Sequence, residues 1–581
     1  MSKANTTKYR VGAEFFLEPE FPAQRQYEAL RAYLVEGGSA EQVAQRFGYS
    51  TATVYSLCRE FRARRLAWFE PSKPGPKKAP KRDAAHARVV ELRKQNYSVY
   101  DIQQILRSEG VEVSHVLIHQ ILREEGFAKL PRRRDDERPA LLRPEAAEVA
   151  DVREIDWRAF AHFETEGTAL FVLLPIVLDW GLERWVRRAG LPGSKRIPAL
   201  HSLLSLLSLK LMGKERMSHV MDVCFDRGFA LFAGLNVLPK TTALSTYSYR
   251  VTREMTVALL ESYVSTLRGG ALLPGQSFNL DFHAIPHRGQ EAVLDKHYVS
   301  GRSRRERSVL AFLVQDGDSR ALCYANATVA KEQAAEEIIN FVDFWQDNTG
   351  ALPPHLVFDS QLTTYPVLDQ LDKRGILFIT LRRRGPAILR QLHAVPKAQW
   401  KTMKLAGVSR RYQKPSYVES AVSLRAIATP LRQIAVRGLG HEEPTLFLTN
   451  DTAIKPVELV QRYAHRMLIE NSIAENIGFF HMDALCSAIA IQVDLDLMLT
   501  LIANALYRSL AQRLTGFEAA KPKQIFRRFL NTPARVTVSD TEVRVRIRRC
   551  AHHPLLLASG ALDAQPAIPW WQGRKLRLEI R

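Results

Sequence analysis

The spacing of apolar residues changes near residue 276, and this change constrains the fold of the 581-residue chain more than any other feature. Beyond it, short stretches with alternating apolar residues are interleaved with stretches of helical period. The predicted strands cover 276–286, 307–315, 321–329, 354–359 and 376–381, and the predicted helices 332–347 and 366–374. Three strands, helix, strand, helix, strand is an order typical of a mixed sheet with helices over its faces.

Short helices with polar N-caps are predicted before this region. Ser39 begins a capping box completed by Gln42, and Ser50 caps the helix that follows. This second helix leaves a polar and basic side outward: Thr51, Thr53, Ser56, Arg59 and Arg62. The layout is typical of a helix-turn-helix, in which such residues meet base edges and phosphates. A three-helix bundle without a DNA-binding role has the same pattern, so both interpretations stay open.

A second group of capped helices follows a linker rich in proline and lysine. Ser98 and Ser114 are its predicted N-caps, and its end at 129–134 is basic. A Pro/Lys linker is extended and semi-rigid. Two helix-turn-helix units on either side of such a linker therefore predict a reader that spans more than one turn of a duplex.

The charge of the chain favours a polyanionic partner. Its 82 Lys and Arg outweigh 61 Asp and Glu, which gives a net charge of +21 and points to nucleic acid. An anionic membrane is the weaker alternative, because the longest wholly apolar run, 169–178, is interrupted by Pro175 and is shorter than the roughly 20 residues of a span. The N-terminal residues lack an apolar leader segment, and the five cysteines form no CxxC pair. A cytoplasmic, nucleoid-associated bacterial protein is expected.

The remaining chain is mostly helical before the sheet and mixed after it. A turn and helix at 238–250 is either a further DNA contact or part of a helical scaffold. An inserted β-subdomain is predicted at 382–450, a long apolar helix at 484–514, and a hairpin at 534–549. Asp494 and Asp496 of that helix are expected to cap it or face water, although a buried functional role stays open. The predicted domains are 1–70, linker 71–82, 83–135, 136–270, 271–381, 382–450, 451–515 and a basic tail 516–581.

Two aspartates stand out in the predicted strands. Asp281 lies between apolar neighbours in the first strand, and Asp359 ends the fourth, where a parallel strand presents it at the carboxyl edge of the sheet. Acids at strand ends also act as helix caps or turn formers. Two aspartates on adjacent strands and a glutamate on a flanking helix can hold two divalent cations roughly 4 Å apart for phosphoryl transfer.

The predicted glutamate is Glu470, in a helix pattern over 462–485. At 100° per residue, Tyr463, Arg466, Glu470 and Ile477 fall within about 60° of one face. A solvated face with an Arg–Glu pair explains the same spacing. The two aspartates upstream favour a role for Glu470 as the third acid.

These residues resemble the DDE transposases of the insertion-sequence-four superfamily, whose glutamate lies in a Tyr-x2-Arg-x3-Glu-x6-Lys signature. Tyr463, Arg466 and Glu470 have the matching spacing. The resemblance implies a multidomain α and α/β chain, with N-terminal helix-turn-helix domains followed by a ribonuclease-H-like mixed-sheet catalytic domain that carries a β-rich insertion. It also implies catalytic and metal-binding roles for Asp281, Asp359 and Glu470.

The same resemblance implies an activity. Two Mg²⁺ ions, which Mn²⁺ can replace, would support DNA cleavage at transposon ends and strand transfer into target DNA by a homodimer on double-stranded DNA. Tyr463 and Arg466 would hold flanking phosphates or a flipped base. Apart from the resemblance, His283 follows the first acid and is a candidate to assist metal or phosphate binding, with a turn or packing role as the alternative. Ile477 replaces the lysine of the signature. A catalytically inactive, domesticated transposase that regulates by binding DNA is therefore an alternative, as is a nuclease of the same fold.

Overall fold

The computed structural model describes two compact units, 1–145 and 146–581. The described residues are 10, 13–63, 80–95, 97–127, 130, 150–270, 272–286, 296–299, 304–329, 333–407, 412–425, 427–440, 443–483 and 493–581. Most of the predicted linker and of the basic segment at 129–134 lies outside them.

The first unit contains two three-helix bundles. After a short helix α1, Glu14–Leu17, the first bundle consists of α2, Pro22–Leu34, α3, Ala40–Phe47, and α4, Thr51–Arg62. The Ser39 side chain accepts from the Gln42 amide, and the Gln42 side chain accepts from the Ser39 amide, which confirms the predicted capping box. Ser50 caps α4 by accepting from the Thr53 amide.

The second bundle has the same construction. It consists of α5, Pro80–Lys94, α6, Val99–Ser108, and α7, His115–Glu124. Ser98 and Ser114 cap α6 and α7, as predicted. A separate apolar core closes this bundle, with Val89, Ile102, Ile118 and Ile121 fully buried.

The second unit begins with a helical part. It contains the strand β1, His162–Thr165, and then α8, Thr168–Trp180, α9, Leu182–Arg188, α10, Ala199–Leu211, α11, Arg227–Ala233, α12, Thr241–Tyr247, and α13, Arg253–Gly269. Helix α12 lies within 238–250, the stretch that the sequence predicted to be either a further DNA contact or part of a helical scaffold. It buries Leu244 and Tyr247 in the core. None of the helices in the described part of the chain is long and apolar enough to cross a membrane.

A mixed sheet follows, in the element order predicted from the sequence except for one additional short strand, β3. Its elements are β2, Phe278–Pro286, β3, Lys296–Val299, β4, Arg304–Asp316, β5, Leu322–Asn326, α14, Glu337–Thr349, β6, His355–Phe358, α15, Tyr365–Lys373, and β7, Leu377–Leu381. The strands lie in the order β5-β4-β2-β6-β7, and β3 pairs antiparallel with the first residues of β4. β4 is antiparallel to β2 and β5, whereas β2, β6 and β7 are parallel.

The predicted β-subdomain does not form a sheet of its own. This segment contains α16, Pro386–Ala394, β8, Lys401–Thr402, β9, Ser416–Val422, β10, Leu431–Arg437, and β11, Thr445–Thr449. β11 pairs antiparallel with β7, and β10, β9 and β8 follow in the same sheet. The physical reason is that an unpaired β7 edge would leave backbone groups exposed, and these strands satisfy them.

The chain ends in helices and a second, four-stranded sheet. The elements are α17, Pro456–Arg466, α18, Leu468–Phe480, α19, Val493–Ala511, α20, Pro522–Ile525, β12, Ala534–Val538, β13, Glu542–Ile547, α21, His553–Ala558, and β14, Lys575–Ile580. The predicted hairpin is confirmed as β12 and β13, which β1 and β14 flank. Trp570 and Trp571 donate to carbonyls of α11, so this region is packed onto the helical part and is not a loose tail.

Candidate active site

The two aspartates lie side by side because of the register of the sheet. β2 and β6 are parallel, and Leu280 of β2 is opposite Phe358, the last residue of β6. Asp281 follows Leu280 in β2, and Asp359 directly follows the end of β6. Asp281 accepts from the Phe282 amide at 2.9 Å, and Asp359 from the Ser360 amide at 2.6 Å. These short backbone contacts hold both carboxylates close to the sheet edge.

Arg466 connects the first aspartate to the glutamate. Its Nη1 lies 3.1 Å from Asp281 Oδ2, and its Nη2 lies 3.3 Å from Glu470 Oε1. The guanidinium is also 5.5 Å from the ring centroid of Tyr463, whose hydroxyl lies 3.5 Å from Asp359 Oδ1. The three acids and the two signature residues therefore form one cluster.

The predicted single helix over 462–485 is interrupted at Met467. α17 ends at Arg466, and the Met467 amide bonds to the Ala464 carbonyl, a tighter turn than that of an α-helix. The expectation that Ile477 shares the face of Arg466 assumed one continuous helix, which the turn at Met467 interrupts. Ile477 is partly buried against the main core. Its apolar side chain thus has a packing role at the position where the signature has lysine.

Burial dominates the electrostatics of the cluster. It raises the pKa of Asp281 to about 6; the Arg466 charge and the Phe282 amide oppose this rise, while Glu470 and Asp359 add to it. Burial also raises the pKa of Tyr463, which therefore stays a neutral hydrogen-bond donor. Burial disfavours the Arg466 charge, but Tyr463 and the three acids outweigh it and raise its pKa. Arg466 is thus a permanent cation in this site.

A buried polar ladder fixes the glutamate helix against the aspartate strand. Asn279 donates to Gln315 Oε1 at 3.1 Å, and Gln315 Nε2 donates to Ser472 Oγ at 2.6 Å. Asn279 precedes Asp281 by two residues, and Ser472 follows Glu470 by two. This ladder was not predicted from the sequence. Its signal there was an amide side chain directly beside apolar residues in each strand, Asn279 between Phe278 and Leu280 and Gln315 after Val314.

His283 is not joined to the acids by a hydrogen bond. It follows Asp281 by two residues in β2 and so lies on the same face of the strand. Its Nε2 atom is buried without a hydrogen-bond partner, and burial lowers its pKa. A neutral imidazole beside the acids is the result.

The predicted DNA-binding residues belong to the other compact unit. Thr51, Thr53, Ser56, Arg59 and Arg62 all lie on α4, and Arg59 and Arg62 are exposed. The Thr53 hydroxyl is 2.8 Å from Ser50 Oγ, and Arg59 Nη2 is 3.5 Å from Ser56 Oγ. Thr53 thus takes part in the cap of the helix, and Arg59 and Arg62 present positive charge to solvent.

The cluster fits a metal site in its chemistry and only in part in its arrangement. Carboxylate oxygens are the ligands that Mg²⁺ prefers, and Asp281 and Asp359 are adjacent. Within the described residues, however, no three acidic, histidine or cysteine side chains stand close enough together to hold an ion. The Arg466 guanidinium separates Asp281 from Glu470, whose side chain is 52% exposed.

Comparisons with known proteins give distant structural likenesses. Neither a protein-family model nor a curated protein sequence matches the chain. A piggyBac transposase synaptic complex with hairpin DNA is 10% identical, with a TM-score of 0.34 over 64% of this chain and 81% of that one. A Mos1 transposase paired-end complex with the left transposon end is 11% identical, with a TM-score of 0.13 over 61% and 76%. A Mos1 mariner paired-end complex with Mn is 13% identical, with a TM-score of 0.12 over 61% and 77%.

Proposed function

We propose that the chain is a DDE transposase of the insertion-sequence-four superfamily, which cleaves DNA at transposon ends and transfers the freed strand into target DNA. One observation carries the proposal. Asp281 and Asp359 are adjacent on parallel strands, and Arg466 of the Tyr-x2-Arg-x3-Glu spacing joins Asp281 to Glu470.

The roles of the residues follow from their contacts. Asp281, Asp359 and Glu470 would hold divalent cations, two Mg²⁺ ions with Mn²⁺ as a substitute. Such ions supply Lewis-acid stabilisation of the attacking and leaving oxygens. Arg466 balances the charge of the acids. Tyr463 orients Asp359 through its neutral hydroxyl, and the unpaired nitrogen of His283 is a supporting group.

The first unit would bring DNA to this site. Thr51, Thr53 and Ser56 would face base edges, and Arg59 and Arg62 phosphates, in the manner of a recognition helix. In this proposal the protein works as a homodimer on double-stranded DNA in the bacterial cytoplasm.

Replacement of Asp359 by alanine tests the proposal. In Mg²⁺, we expect the parent to cut a supercoiled plasmid that carries the coding region with its flanking DNA, and Asp359→Ala to lose more than about 100-fold in rate. Even an outer-shell partner of a metal ligand is worth about 10–100-fold. The control is Asp347→Ala, at an exposed position of α14. Equal cutting by Asp359→Ala and the parent would remove Asp359 from the site.

The separation of Asp281 from Glu470 by Arg466 favours a second candidate, an inactive transposase that regulates by binding DNA. Deletion of residues 1–145, the first compact unit, distinguishes the two. If the chain is an enzyme, the truncated protein should still join precut ends, measured on a gel with labelled donor DNA. A pure DNA reader would join no DNA with or without the deletion, and a plain nuclease would cut without joining.

A further inference from the structure

A cavity of about 360 Å³ opens in the second unit beside the residue that follows Asp359. Its lining includes Ser360 and three consecutive arginines, Arg382, Arg383 and Arg384, but no carboxylate side chain. Leucines from α16 and β11 complete the wall. A cavity with three guanidinium groups and apolar sides suits an anionic ligand that also has an apolar part.

The sheet places the three arginines level with the acids. β6 and β7 are parallel, and Val357 is opposite Ile379. Asp359 is therefore level with Leu381, the last residue of β7, and the arginines leave the sheet at the same edge. Ser360, whose amide binds the Asp359 carboxylate, is part of the cavity wall. The cavity and the acid cluster thus share one border.

Two of the arginines are held in place by the protein. The Arg382 amide donates to the Leu446 carbonyl at 2.8 Å, and its Nη1 donates to Gln433 Oε1 at 2.7 Å. The Nε atom of Arg382 is buried and has no hydrogen-bond partner. Arg384 Nη1 donates to the Glu443 carbonyl at 3.3 Å, and Arg383 is exposed. Guanidinium groups held in this way lose less freedom when they bind an anion.

We propose that this cavity binds the phosphate backbone of a DNA strand next to the phosphate that the acid cluster acts on. The inference rests on the proposed function and adds a second contact to it. Arginine forks match the geometry of phosphate oxygens. The volume is at the low end of the roughly 300–1,000 Å³ usual for ligand pockets, so it admits part of one strand and not a duplex. The leucines would contact the sugar.

The salt dependence of binding tests the proposal without any catalysis. The full chain would be titrated with a short, labelled single-stranded oligodeoxynucleotide in the absence of divalent metal. Each phosphate contact contributes about 0.7 to the slope of log affinity against log salt for single strands. We expect Arg383→Ala/Arg384→Ala to lower this slope by about 1.4 and to weaken binding about tenfold at low salt. Arg383→Lys/Arg384→Lys, which keeps the charge, should retain the parent slope.

The control is Arg390→Ala, an exposed arginine of α16 that is not part of the cavity wall. An unchanged slope in the double alanine variant, or an equal change in the control, would overturn the proposal. A slope that falls only in the double variant supports the cavity even if the parent fails to cut plasmid, in which case the proposed function alone fails.

If the parent cuts, slower cleavage by the double variant assigns the contact to the donor strand, and slower joining alone assigns it to the target strand. Unchanged rates of both would contradict a position beside the reacting phosphate.

Discussion

Replacement of Asp496 by alanine is expected to lower the free energy of unfolding of the second unit by about 3–5 kcal/mol. Lys210 Nζ lies 2.7 Å from Asp496 Oδ2, and the two side chains are only 6% and 8% exposed. Without the carboxylate, the ammonium would remain buried with the Phe480 carbonyl as its partner, at 2.9 Å. A buried charge that loses its counter-ion is far more costly than the absence of the whole pair.

Urea unfolding followed by tryptophan fluorescence measures this effect. Seven of the eight tryptophans lie in residues 146–581, so the signal reports mainly on the second unit. The double variant Lys210→Met/Asp496→Leu should be more stable than Asp496→Ala, and the exposed Asp347→Ala should match the parent. If the single and double variants unfold at the same urea concentration, the buried pair has no specific role.

The buried pair of Lys210 with Asp496, and a second pair of Arg253 with Asp494, correct an expectation for α19. Asp494 and Asp496 were expected to cap the helix or face water, and both are instead buried and paired. Asp494 accepts from Arg253 Nη1 at 2.6 Å and from the Ala327 amide at 2.7 Å. Lys210, Arg253 and Ala327, the partners of these two aspartates, are all more than 100 residues away along the chain. Local spacing shows that a helix carries an acid, but it does not reveal a distant cation that pairs with it.

Local periodicity was sufficient for most of the core sheet and insufficient for the second one. Alternation along 276–286 and the short apolar stretches that follow predicted five of its strands and their sequence along the chain, but not β3. β1 has only four residues, and its partner β12 begins at Ala534. A strand this short has too few residues for a periodic pattern. In β14, polar and apolar residues alternate clearly. This alternation was the sequence pattern that could have predicted a larger sheet in this part of the chain.

The motif spacing located the acid cluster but not its internal contacts. The spacing of Tyr463, Arg466 and Glu470 and the strand positions of the two aspartates predicted that these residues meet, and the contacts between them agree. The break at Met467 was not predictable, because no proline or glycine marks it. Nor could the spacing reveal that Arg466 would separate two of the acids. That arrangement depends on the tertiary position of α18, which the buried ladder through Gln315 helps to fix.

Replacement of Arg466 by methionine is expected to move the acid limb of the cleavage rate to higher pH. The pKa of Asp281 is about 6 with the Arg466 charge opposing the effect of burial, so its removal raises this pKa further. A carboxyl group must be ionised to bind a cation, and it is ionised above its pKa. Below the raised pKa, the ionised fraction falls about tenfold for each pH unit. The variant should therefore lose most activity near neutral pH and regain part of it under alkaline conditions.

The matched control is Arg462→Met, which removes an arginine from the same helix α17. Arg462 pairs with Glu458 at 3.3 Å at a more exposed position, so the acid limb should remain at about pH 6 in that variant. Rates from pH 5 to 9 would be measured on supercoiled plasmid at Mg²⁺ well below saturation, where the rate follows the fraction of Asp281 that is ionised before the metal binds. They separate two roles for Arg466. A shifted limb means that its charge keeps Asp281 ionised. A loss of rate that is equal at every pH would contradict this role and would leave a direct contact with DNA as the function of Arg466, because a phosphate contact does not change the titration of the acid.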